Sequence, residues 1–301
     1  MFENIIGNEK NKEVLEKTIR INKTSHSYIF CGTEGIGKKI IAKELAKRIL
    51  CLEKNKENDC KCKSCIEFDS NNNPDFQLIE ALDGKIKIDQ IRQMQRKIAE
   101  KPIISNNKVY IVDDADTMTT EAQNCLLKTL EEPPEYMTII LICTNEGNLL
   151  STIKSRCTRM IFDPIRNEEL KKYLNNQVTG EQISDNIIDL AQGSIGKAIK
   201  LNERKDIYEN IENILISMQD KDLIDIVQMS ETIYKSKEEI KSILEYINVL
   251  LLKLSRQNIK YINCVEIVEE TKKRINANSN YDMCIDYMIF SMWQQIVRNK
   301  T

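Results

Sequence analysis

Glycine and proline are scarce in this chain, with nine and five among 301 residues. So little punctuation favours long uninterrupted helices and makes each glycine cluster informative; two stand out, around Gly35 and around Gly193. The single histidine, His26, has no histidine partner. Histidine-rich metal hydrolysis therefore has no support, and a position just before an apolar run suits packing or capping. No stretch approaches the roughly 18 apolar residues of a membrane span. The opening MFENIIGNEKNK lacks a basic leader, an apolar run and a small-residue cleavage site. A cytoplasmic protein with no membrane partner is the expectation. An excess of positive charge is missing too: 44 basic residues face 46 acidic ones, a formal net charge of −2. No global basic field argues for stand-alone nucleic-acid binding, so any DNA contact is local or shared.

What is present is globular. Hydrophobic residues make up 41% and charged residues 30%, and 301 residues suit two or three domains rather than one core. Apolar β-prone runs at 27–31, 76–80, 109–112, 138–143 and 160–162 alternate with helical periodicity, which implies a parallel sheet. Thr120-Glu-Ala-Gln123 has the form of a capping box, and Ala122, Cys125, Leu126, Thr129 and Leu130 follow on one helical face until Glu131-Glu132-Pro133-Pro134 stops it. After Pro164 the strand signal fades. Short helices over 168–175 and 187–192 are closed by Gly193-Ser-Ile-Gly196, and from about Asp206 long amphipathic helices carry no catalytic motif. The run Val249–Leu254 is apolar enough for either a bundle core, the reading base rates favour, or a subunit contact. The expected boundaries are 1–163, 164–205 and 206–301.

Between the first strand and its helix, residues 32–39 read GTEGIGKK. In G-x-x-x-x-G-K-[ST] the turn's backbone N–H groups cradle phosphates, the lysine neutralises them and the hydroxyl holds Mg²⁺. Gly32, Gly37 and Lys38 are in place, with Gly35 a further glycine of the candidate nucleotide-binding turn, but Lys39 stands where the hydroxyl belongs. An ammonium has no lone pair for a metal. The cradle survives without its metal ligand. Downstream, VYIVDDAD ends an apolar strand in Asp113 and Asp114, where phosphate-loop NTPases place a carboxylate near Mg²⁺.

Cys51, Cys60, Cys62 and Cys65 have the spacing C-x8-C-x-C-x2-C. In a reducing compartment such spacing suits tetrahedral zinc rather than disulfides, and the ion would staple the polar insertion Lys54 to Lys63. The other six cysteines lie mostly in apolar patterns and read as core. Arg156, in Ser155-Arg156-Cys157 before the last strand, is either a surface charge or a residue reaching a phosphate held by a neighbouring subunit.

The loop GTEGIGKK, the cysteine cluster, KVYIVDDADTM, NCLLKTLEEPP, the Cys143-Thr144-Asn145 turn and SRC together resemble the delta prime subunits of bacterial DNA polymerase III clamp loaders, within the AAA+ superfamily. The match covers essentially the whole chain. The resemblance implies an α/β AAA+ nucleotide-binding domain (a parallel sheet with flanking helices), a small helical lid and an all-α C-terminal collar. It implies gamma/tau and delta partners in a hetero-pentamer that works on a sliding clamp and primer-template DNA, as a component of DNA polymerase III holoenzyme. Arg156 would act in trans as an arginine finger. Thr144 and Asn145 match the sensor-1 region; the residues themselves allow either ATP or ADP held on Gly32, Gly37 and Lys38 without hydrolysis or no nucleotide at all. In active members a lid arginine follows a Gly-Ser pair, whereas Gly196 stands at that position here, with Lys197 one residue, about 100°, further round the helix. Lys39, Asp114 and Gly196 all depart from the hydrolytic pattern. The competing readings are an ATP-hydrolysing gamma/tau motor subunit, expected to carry Ser or Thr at 39 and to be longer, and a zinc-containing nucleic-acid module, against which the balanced charge counts.

Overall fold

The computed structural model describes residues 2, 5–53, 60–177, 183–221, 230 and 233–297. Residues 54–59 of the polar insertion lie outside that set. The described chain forms two compact units. One contains the residues up to Tyr173 with Gly193–Lys197, and the other Leu174–Gln192 with the residues from Ala198 onward.

The first unit runs α1 (Glu9–Arg20), β1 (Ser27–Cys31), α2 (Lys38–Leu50), α3 (Lys63–Asp69), β2 (Phe76–Ile79), α4 (Ile88–Ile98), β3 (Lys108–Val112), α5 (Thr120–Glu131), β4 (Met137–Cys143), α6 (Ser151–Lys154) and β5 (Thr158–Ile161). The five strands form one sheet in the order β2-β3-β4-β1-β5, parallel throughout. Strands β3 and β4 are buried on both faces, which is why KVYIV and MTIILIC read as near-continuous apolar runs. At the edge, β5 exposes Thr158, Arg159 and Ile161.

Alternation along the strands divides the core in two. Ile29, Val112, Ile139 and Leu141 pack with Ile91, Met94 and Ile98 of α4 and Ala122, Leu126 and Leu130 of α5. Phe30, Ile111, Ile140 and Ile142 face Leu15 of α1 and Ile41, Leu45 and Ile49 of α2. Every loop that follows a strand therefore opens at one end of the sheet and every loop that precedes one at the other, the geometry on which the site depends.

Two local expectations are corrected. Thr119, not Thr120, is the N-cap of α5: its Oγ1 accepts the Ala122 amide at 3.3 Å. Gln123 closes no capping box. It is buried and spans inward, donating to the carbonyls of Met118 (3.2 Å) and Asn148 (3.0 Å) and accepting from the Leu150 amide at 2.8 Å. Likewise Gly193–Gly196 is not simply a terminator. Gln192, in the left-handed region, caps the helix Asp185–Ala191, and Gly196 already lies in the first turn of the helix Ile195–Asn202.

The second unit is helical, built chiefly from Lys205–Ser217, Ile240–Ser255, Lys260–Asn276 and Tyr281–Val297. Ile240, Ile243, Leu244, Ile247 and Leu251 are buried as their spacing requires. In the run Val249–Leu254, Leu250 and Leu251 enter the core while Leu252 is exposed.

Candidate functional site

Gly32–Lys39 joins β1 to α2, with Gly37 at the helix N-cap. Gly35 and Gly37 have φ of +76° and +96°, in the left-handed region that favours glycine. At Gly35 a side chain is excluded twice over, because an added Cβ would come within 2.3 Å of Ser194 Oγ. The Gly35 carbonyl accepts the Gly196 amide at 3.1 Å, so the backbone at the expected lid-arginine position rests directly on the loop. Lys38 is buried and turned inward: its Nζ donates to the carbonyls of Gly32 (2.6 Å) and Thr33 (2.7 Å). Burial lowers the pKa of its ammonium.

Lys39 extends to the ends of the two adjoining strands. Its Nζ lies 2.5 Å from Glu80 Oε1, just past β2, and 2.9 Å from Asp113 Oδ2, just past β3. Burial works against this charge, and the bonds to Glu80 and Asp113 outweigh it, so the pKa is raised. Asp114 sits beside them at φ +50°, its carboxyl raised by burial and then by the charges of Asp113 and Asp116. Magnesium requires near-octahedral oxygen ligands at about 2.0–2.1 Å. Here an ammonium bridges the carboxylates from the position where the motif carries its hydroxyl, so these residues do not fit Mg²⁺. Glu80 escaped the sequence reading as a site residue; the signal was its place immediately after a strand in a parallel sheet, where loops converge.

The turn after β4 is tied to the same end. Thr144 N, Thr144 Oγ1 and Asn145 N all donate to Asp116 Oδ2, at 3.2, 2.8 and 2.9 Å. Asn145 Oδ1 accepts the Gly147 amide at 2.9 Å. Asp116 thereby orients the turn that follows β4, a role its sequence position alone did not reveal.

Arg156 lies at the other end of the sheet. It precedes β5, and its carbonyl accepts the hydroxyl of buried Ser27, the first residue of β1, at 2.8 Å. His26 Nδ1 is 3.0 Å from that hydroxyl, in keeping with a supporting role. The loop glycine Gly32 comes five residues after Ser27, a strand rise of about 16 Å. The Arg156 guanidinium donates to the Thr152 carbonyl at 2.9 Å and pairs with Glu131 Oε1 at 2.8 Å. Thus Gly32, Gly35, Gly37, Lys38, Lys39, Asp113, Asp114, Thr144 and Asn145 gather at one end, and Arg156 stands apart.

Beyond the end of α2, the thiol sulfurs of Cys51, Cys60, Cys62 and Cys65 all lie within 4.8 Å of one another. Cys51 and Cys62 are 4.0 Å apart. Tetrahedral thiolate coordination with bonds of about 2.3 Å puts the sulfurs roughly 3.8 Å apart, so this cluster could hold a metal ion. Burial pushes the Cys62 thiol up, but hydrogen bonds from the Cys65 and Leu52 amides, together with those from the Cys65 and Cys60 thiols, outweigh it and lower the pKa to about 7. Of the other cysteines, Cys143, Cys264 and Cys284 are buried and Cys31, Cys125 and Cys157 half-buried.

Residues 7–166, which contain the loop, the strand-end acids, the cysteine cluster and Arg156, match the family model for the DNA polymerase III delta subunit. The chain belongs to that family. Among relatives, it is similar to DNA polymerase III subunit delta' of Bacillus subtilis (strain 168), 31% identical over 203 residues, 67% of this chain and 61% of that one. It is 29% identical to DNA polymerase III subunit tau/gamma of Haemophilus influenzae over 240 residues, 75% of this chain and 35% of that one. This member of the delta subunit family thus spans between about a third and three fifths of these relatives' length. The structure of a DNA polymerase III gamma subunit-related protein from Thermotoga maritima superposes with a TM-score of 0.50 at 20% identity, over 94% of this chain and 99% of that one, a likeness of fold. The α/β architecture, a parallel sheet with flanking helices and a helical C-terminal region, is shared. Among the described residues no helix is long and apolar enough to cross a membrane.

Proposed function

We propose that this chain is the delta prime-type stator of a DNA polymerase III clamp loader, supplying Arg156 in trans to ATP bound by an adjacent motor subunit. The observation that carries the reading is the separation of Arg156 from its own phosphate loop along the full length of β1. An arginine side chain cannot span about 16 Å, so a phosphate it reaches belongs to another chain. The blocked metal position supports the other half: Lys39 bridges Glu80 and Asp113, and Gly196 offers only backbone where a lid arginine would stand.

The reading includes gamma/tau and delta partners in a hetero-pentamer, action on the sliding clamp and primer-template DNA through the complex, and a cytoplasmic setting. Its three parts are a nucleotide domain (1–163), a lid (164–205) and a collar (206–301). A structural zinc on the four cysteines holds the insertion, and the loop takes ATP or ADP without hydrolysing it.

Reconstitution with the motor subunit tests this. Arg156→Ala is expected to depress DNA-stimulated ATP turnover at least about tenfold, as loss of an arginine finger does, while Lys38→Ala changes it much less. Equal loss from both would refute the stator. A second reading, an ATP-hydrolysing gamma/tau motor, is favoured by the comparable identity to tau/gamma proteins. It requires steady ATP turnover by the purified chain alone.

A further inference from the structure

Arg156 is not idle at the sheet end: it is held by an acid of its own chain. Its backbone is fixed by Ser27 below and by the bond from its own amide to the Ile153 carbonyl. The guanidinium, by contrast, is about one third exposed and is held at its tip by Glu131 and by the Thr152 carbonyl. Glu131 is the last residue of α5, followed by Glu132 and two prolines. A carboxylate there faces the negative end of the helix dipole and gains from a cation beside it. The arginine is the cation, so the two groups satisfy each other.

We infer that Glu131 is the positioning residue of the arginine finger, an internal anion that parks Arg156 and must be displaced by the phosphate it is to touch. The inference rests on the proposed trans role of Arg156. Carboxylate and phosphate oxygens compete for the same face of a guanidinium, since both accept its parallel N–H groups. Both partners are solvent-accessible, Arg156 at 34% and Glu131 at 49%, so the pair is weak enough to exchange. Exchange couples the finger to occupancy next door. While the neighbouring site is empty, Arg156 stays on Glu131; when a polyphosphate arrives, the guanidinium transfers to it and the acid is left to solvent.

The test uses the complex reconstituted with its ATPase subunit, comparing wild type, Glu131→Gln, Glu131→Asp, Arg156→Ala and the Glu131→Gln/Arg156→Ala double variant across ATP concentrations. Glu131→Gln keeps the shape and removes the competing charge. It is expected to lower KM for ATP about threefold with kcat within about twofold, as suits an exposed pair. Glu131→Asp, which keeps the charge, should stay closer to wild type than the glutamine variant. In the Arg156→Ala background the glutamine substitution should do nothing further to KM. An unchanged KM in Glu131→Gln, a fall in kcat alone, or a KM effect that persists without Arg156 would each overturn the latch. Full turnover by Arg156→Ala would instead sink the finger reading itself, so the two failures are distinguishable.

Discussion

Lys39 Nζ lies 2.9 Å from Asp113 Oδ2, joining the residue after the phosphate-loop lysine to the acid at the end of β3. In a metal-dependent site these two positions are linked through Mg²⁺, by a hydroxyl on one side and the carboxylate on the other. In this chain they touch directly. The ammonium is a covalently tethered cation, also 2.5 Å from Glu80 Oε1, and it satisfies the local carboxylates without a metal.

Replacing that cation should restore a metal requirement. In Lys39→Thr a hydroxyl returns beside Asp113 and Glu80, and the variant is expected to bind ADP at least about fivefold more tightly with Mg²⁺ than with a chelator. The wild-type chain should show less than about twofold dependence. Calorimetric titration under both conditions reads the difference, and metal-dependent binding by the wild type would refute the tethered-cation account.

The same contact has a pH signature. The folded-state pKa of Lys39 is raised above its ordinary 10.5, because the bonds to Glu80 and Asp113 outweigh burial. Its stabilisation is therefore fully present below pH 10.5 and is lost as pH rises through the higher folded value. Melting temperatures of wild type and Lys39→Met, compared between pH 8 and 11, should differ most at the lower pH and converge at the upper. A gap that widened with alkalinity would mean the ammonium is not stabilised where it sits.

Removing the metal from the cysteine cluster should loosen the end of α2. Purified protein is expected to carry about one equivalent of zinc, and a strong chelator or Cys62→Ser should lower the melting midpoint by about 5 °C or more. Elemental analysis and calorimetry check both halves. Metal-free protein with the same melting curve as untreated protein would contradict the assignment.

The strand-loop-helix at 27–50 was legible because it is local: β-prone residues run into a glycine-rich turn, and Ile41, Leu45 and Ile49 follow at helical spacing. Strands β3 and β4 were legible because burial on both faces leaves an unbroken apolar run. Gln123 was misread for the opposite reason. A glutamine early in a helix suits a capping box by spacing, and only the packed core shows it bonded to Met118, Asn148 and Leu150.

By itself the sequence determined that no oxygen at position 39 would accept a metal, because that follows from the atoms of lysine whatever the fold. It also set four thiols within fifteen positions, close enough to meet in almost any compact arrangement. Which acids meet Lys39, and which end of the sheet carries Arg156, only the tertiary structure decided. Glu80 is 33 residues from Asp113, and Glu131 is 25 from Arg156. Strand order places the first pair side by side, and parallel direction sends Arg156 to the end opposite its own phosphate loop.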